Sequence, residues 1–162
     1  MAGLFDSIVI KGLELKNRIV MAPMATNMAT PEGRITDRHI KHYTSRAKGG
    51  VGLIILEHTY VAVEGKLARN QTGLYDDSLI PDLKRLVDAI HEAGAKVIIQ
   101  LTHAGARTTS ETTGSQPLGP STVRLPDGTE TPKALTAPEI KSVVTAFIES
   151  SLRAIEAGCD GV

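Results

Sequence analysis

Three times the chain runs from an amphipathic segment through glycine into a short apolar run. The stretches are "RAKGGVGLII" at 46–55, "HEAGAKVII" at 91–99 and "IEAGCDGV" at 155–162. A helix that stops on glycine and passes straight into a buried strand is the returning half of a β/α unit. An earlier apolar run, "RIVMAPM" at 18–24, supplies a first strand ended by Pro23. The predicted order is therefore β-α-β-α-β-α-β, with strands at 18–24, 51–60 and 96–103 and the start of a fourth at 160–162. Near-continuous apolar strands of this kind are parallel and covered by helices.

The helices have readable limits. Thr36 is the expected N-cap of a helix over 37–48, with Ile40, Tyr43 and Ala47 at helical spacing. Ser78 is the expected N-cap of the next, over 79–93, where Leu83, Leu86, Val87 and Ile90 form the apolar stripe and Gly94 the stop. Thr136-x-x-Glu139 is a capping box that opens the third. Its expected buried face carries Ile140, Val143, Val144, Phe147 and Ile155.

Two parallel architectures compete, the doubly wound sheet and the (β/α)8 barrel. A dinucleotide-binding sheet carries G-x-G-x-x-G after its first strand, and "MAPMATN" has no such glycines. "SIVIKGLELK" at 7–16 reads as a hairpin suited to plugging a barrel bottom. The barrel is favoured, in the α/β class. Residues 1–162 then supply three β/α units and the first residues of strand four, about half of a barrel of ~250 residues.

Composition narrows the function. Eighteen basic residues balance eighteen acidic ones, and only 3% of residues are aromatic, which argues against a nucleic-acid partner. The longest apolar run, "VGLIIL", is too short for a bilayer, so no membrane is expected. The N-terminus shows no signal-peptide core, and a cytoplasmic enzyme is the expectation. Cys159 is the sole cysteine, so no disulfide and no metal cluster arises within these residues.

Barrel enzymes work at the C-terminal ends of their strands. Alternation places Ile98, Gln100 and Thr102 on the inward face, opposite Val97, Ile99 and Leu101. Gln100 reads equally as a contact to a polar ligand edge or as an amide satisfied by neighbouring backbone. The same alternation puts Ile54, Leu56 and His58 inward, with His58 either a hydrogen-bonded structural residue or a site residue. Val20, Ala22 and Met24 share a face, and Pro23 can be a simple strand terminator. His39, His42 and His91 fall on helices and read as solvent-facing. Residues 107–135, rich in Thr, Gly, Pro and Ser, form either a functional loop or an ordinary excursion.

Taken together, "LKNRIVMAPMATN", "RAKGGVGLIILEHTYV", "IHEAGAKVIIQLTHAG", "GPS" and "LTAPEIKSVV" resemble the Old Yellow Enzyme family over essentially the whole chain. These are FMN-dependent ene-reductases and NADH:flavin oxidoreductases, and they include 2,4-dienoyl-CoA reductases. The resemblance implies a (β/α)8 barrel with FMN across its top and NAD(P)H as reductant. It implies that Ala22, Pro23, Met24 and Ala25 lie along the isoalloxazine. Gln100 would read the pyrimidine edge, His58 would line the flavin, and Asn27 would stand near the substrate.

The implied substrate is a small enone, enoate or enoyl thioester, and a homo-oligomer is expected. The resemblance leaves room for an iron–sulfur cluster in a C-terminal part. No catalytic residue falls within the chain, because "DGV" would lead into the segment bearing the substrate-binding His pair. Departures are Ala25 where many relatives carry Cys or Thr, His58 in place of a small residue, and Ala106 where relatives carry Arg. Two rivals remain, a self-associating half-barrel without catalysis and an unrelated (β/α)8 synthase or lyase.

Overall fold

The computed structural model describes residues 3–128 and 130–162. An antiparallel hairpin opens it, β1 (Ile8–Ile10) against β2 (Leu13–Leu15). Its two-residue turn, Lys11-Gly12, has positive φ at both positions (47° and 88°), the geometry whose twist matches a hairpin. Asn17, nearly buried, pins the hairpin exit to the starts of the following strands. Its side-chain amide donates to Gly50 O at 2.7 Å, and its Oδ1 accepts from Ile19 N–H. The hairpin therefore sits at the N-terminal ends of the parallel strands, as expected of a bottom plug.

Those strands are β3 (Val20–Met21), β4 (Leu53–Tyr60) and β5 (Lys96–Thr102), all parallel and in the order β3-β4-β5. Gly161 bridges to Ile98 and begins a fourth. Helices α1 (Asp37–Lys48), α2 (Ile80–Glu92) and α4 (Ala137–Glu156) connect them. Strand order follows chain order without the reversal of a doubly wound sheet. Tyr43, Leu86, Ile90 and Ala154 of the helices share one core with Ile54, Leu56, Val97 and Ile99 of the sheet. Helices on a single face and sequential strands make this the wall of a (β/α)8 barrel, the architecture the sequence favours.

Strand four is fastened by Asp160. Its carboxylate accepts from Val97 N–H at 2.8 Å, His91 Nε2 at 2.7 Å and Lys96 Nζ at 3.0 Å. Partial burial opposes its charge, but these three donors outweigh it and hold the acid below the usual aspartate range.

Several expectations change. A single 3-10 turn over 77–79 precedes α2 and is capped by Asp76, whose side chain accepts from Ser78 N–H; the N-cap position of α2 itself is Leu79, not Ser78. The first strand pairs over two residues rather than 18–24. The stretch 107–135 is not structureless: it holds α3 (Ser110–Thr113) and a parallel ladder of β6 (Leu118–Gly119) with β7 (Lys133–Ala134).

Ile54 and Leu56 do not face the barrel interior. They pair with Val97 and Ile99 and lie in the helix-side core, 0% and 3% exposed. The expected face of α4 also divides. Close approach to α2 and β5 selects the small residues Ser150, Ala154 and Ala157 for the core, with Val143 and Phe147 half-buried. Ile140, Val144, Ile148, Leu152 and Ile155 instead form a stripe along the outer side, each 49–64% exposed.

A helix apolar on two sides is built for two neighbours. The chain alone, at micromolar concentration, is thus expected to self-associate in light scattering and to bind a nonpolar dye. A dye-silent monomer would contradict the account of this stripe. Among the described residues, no helix is long and apolar enough to cross a membrane.

Candidate functional site

The concave face of the sheet is set by one irregularity in β4. Pairing runs Leu56 with Ile99 and then Thr59 with Leu101, so one extra residue is accommodated between them. A β-bulge of this kind resets the alternation. Leu56 and Glu57 both turn toward the helices, while His58 stands on the face of Gln100 and Thr102. The inward placement of His58 thus holds, although the residues expected to accompany it lie on the other side.

Gln100 is exposed on this face, and among the described residues its side-chain amide has no hydrogen-bond partner in the chain. His58 is half-buried, and Gln71 orients it. Gln71 Oε1 accepts from Leu67 N–H at 2.6 Å, and its Nε2 donates to His58 O at 3.2 Å and His58 Nδ1 at 3.0 Å. An accepting Nδ1 puts the His58 proton on Nε2, which leaves one N–H donor free for the site.

Beyond β3, Ala22, Met24 and Ala25 are exposed and Pro23 is half-buried. Asn27 follows with φ of 53°, a left-handed turn that asparagine tolerates. These residues project from the C-terminal ends of three adjacent strands, so the structure gathers all of the sequence-derived candidates along one rim. They form an open shelf rather than an enclosed cavity. A cleft of about 190 Å³ beside Lys16, His91 and Lys96 lies at the opposite, N-terminal ends of the strands.

The loops that follow the strands are laced to one another. Ala29 N–H donates to Asn70 O, Asn70 Nδ2 to Ala29 O, and Ala104 N–H to Gly65 O. Lys66 reaches across to Pro31 O and lies 5.5 Å from the Tyr60 ring centroid. Burial pulls its ammonium pKa below the usual lysine value, with Glu32 opposing. Arg107 turns outward to Asp127. His103, after β5, accepts from Gly105 N–H through Nδ1.

Sequence reasoning missed the groups beneath the shelf. His39, expected in solvent, is fully buried, and its Nε2 lies 3.2 Å from Glu57 Oε1. Glu57 also accepts from Thr26 N–H at 2.7 Å and Thr26 Oγ1 at 2.6 Å, and from Tyr43 Oη at 3.4 Å. Burial raises the Glu57 pKa, but the bonds from His39 and Thr26 outweigh it and the net shift is downward. Burial and the neighbouring Glu57 charge push Tyr43 well above the ordinary tyrosine value. The signal for His39 was present: it lies four residues before Tyr43 and eight before Ala47, on the apolar face of α1.

Known proteins resemble this chain over nearly its whole length. The chain is 42% identical to an NADPH dehydrogenase of Listeria monocytogenes serotype 4b, over 99% of its own length and 47% of the relative's. The solved structure of an old yellow enzyme homologue from Zymomonas mobilis superposes with a TM-score of 0.93 at 30% identity, over 99% of this chain and 47% of that one. Morphinone reductase superposes at 0.89 and 29% identity, over 98% and 46%. The chain spans about half the length of the relatives it matches. The model of the NADH:flavin oxidoreductase / NADH oxidase family matches residues 3–162, and the chain belongs to that family.

Proposed function

We propose that this chain is the N-terminal half of an FMN-dependent NAD(P)H oxidoreductase and supplies one side of its flavin cradle. The observation that carries this reading is Gln100, an exposed amide on the concave face with no partner among the described residues. Its one acceptor and two donors match the alternating donors and acceptors of a flavin pyrimidine edge.

The rest of the shelf fits the same group. Ala22 and Ala25 are small enough for a flat ring to approach the backbone. Among the described residues, the Met24 and Ala25 N–H groups have no backbone acceptor in the chain. His58 adds its free Nε2–H, and Asn27, at the rim, is placed to meet a substrate.

When bound, FMN supplies the hydride transfer, from NAD(P)H and onto the β-carbon of an activated alkene such as an enone, enoate or enoyl thioester. The chain's residues hold and orient; the carbonyl-binding pair and the phosphate site belong to the remaining β/α units. Relatives named as an NADPH dehydrogenase and a morphinone reductase support this reaction class. Family membership sets aside the unrelated synthase or lyase.

Ala25 provides a test. It offers no side-chain donor, whereas a hydroxyl there would face a ring that gains negative charge on reduction. A donor favouring the charged state by about 1.5 kcal/mol corresponds to about 30 mV for a two-electron couple. In a complete barrel carrying this segment, Ala25→Thr is expected to raise the flavin midpoint potential by tens of millivolts. A potential that stays put or falls would show that position 25 does not face the flavin.

A further inference from the structure

The Glu57 cluster lies directly under the shelf, and none of the proposed flavin contacts uses it. Four donor groups converge on one buried carboxylate, and two of them belong to Thr26. The ring closes on itself, because Glu57 N–H donates back to Tyr43 Oη at 3.2 Å. His39 Nδ1 accepts from Thr36 N–H at 3.1 Å, which leaves its proton on Nε2, aimed at Glu57. A buried charge is costly unless donors surround it, and here they do.

The position of the cluster gives it a role beyond stability. Residues 22–27 follow a two-residue strand and have no regular secondary structure of their own. Ala22, Met24 and Ala25 are exposed and gain little from packing. Among the described residues, the side-chain bonds that tie this segment to the barrel wall are those of Thr26 to Glu57. Thr26 adjoins Ala25, and Glu57 adjoins His58. One carboxylate therefore sets the segment after β3 and the histidine at the end of β4 relative to each other.

Resting on the flavin reading above, we infer that Glu57, braced by His39 and Tyr43, is a positioning residue for the cofactor. It holds the backbone of 22–27 against the end of β4, where Gln71 orients the His58 ring, in the geometry that receives a flavin. Preorganisation of this kind raises affinity by removing the cost of ordering the segment on binding.

The test is FMN titration of a complete barrel carrying this segment, followed by fluorescence and by the absorption spectrum at saturation. Thr26→Val keeps volume and the backbone bond but loses the hydroxyl bond, and should weaken FMN binding about fivefold to tenfold. Glu57→Gln keeps shape but loses the charge-assisted bonds, and should weaken binding by roughly tenfold or more. Thr26→Ser restores the hydroxyl and should bind like the parent. Both weakened variants should show a displaced flavin absorption band at saturation.

Parental affinity and spectrum in Thr26→Val and Glu57→Gln, beside a lowered melting temperature, would overturn the inference and leave Glu57 a stabilising group alone. Thr26→Val decides the matter if Glu57→Gln does not fold. A parent protein that binds no FMN would instead overturn the flavin reading, and this inference with it.

Discussion

Gly33→Ala is expected to destabilise a complete barrel carrying this segment by about 2–5 kcal/mol. Gly33 has φ of 88°, where a side chain brings about 1–2 kcal/mol of strain. A Cβ there would also stand 2.6 Å from Tyr60 Oη and 2.8 Å from Gly73 N. Neither neighbour can yield. Tyr60 is fully buried and stacked on Tyr75, and Gly73 N–H is bonded to Gly33 O at 3.0 Å. Crowding of this kind adds about 1–3 kcal/mol. The contact matters because it fastens the loop after β3 to the chain beyond β4, behind the shelf. Urea unfolding checks it, and a change under about 0.5 kcal/mol would show that the loops can part freely.

Gln100→Leu should act on binding and hardly on folding. The amide has no partner among the described residues, so its loss leaves none of their groups stranded. A flavin edge left unpaired costs about 1–3 kcal/mol, which is roughly a tenfold to hundredfold loss of FMN affinity. The expected result is that loss with an unchanged melting temperature. Equal FMN affinity in parent and variant would remove Gln100 from the cradle. A fall in melting temperature without bound flavin would mean that the amide is satisfied within the protein.

The barrel wall was legible because its signals are local. The glycine stops at 49–50, 94 and 158 and the Thr136–Glu139 box mark helix limits that the structure keeps. Gln100 was legible because alternation along β5 is unbroken. In β4 the rule fails at one place. Ile54 and Leu56 look inward by counting from His58, but the bulge inserts a residue between them and the strand end. A run of "LIILEHTY" carries no mark of where that residue falls.

The cluster under the shelf was hidden for another reason. Histidine and glutamate count as polar in any periodicity, yet His39 and Glu57 are buried because they satisfy each other. The outer stripe of α4 misled in the opposite sense. Its large apolar residues look like core, yet among the described residues nothing covers them.

The claim that this half-barrel is a flavin cradle is tested most directly by the cofactor itself. A complete barrel carrying this segment, purified without added flavin and then denatured, should release FMN in about equimolar amount. The account predicts yellow protein, and apoprotein that recovers its colour when FMN alone is returned. Colourless protein that takes up no FMN on reconstitution, while folded by circular dichroism, would contradict it.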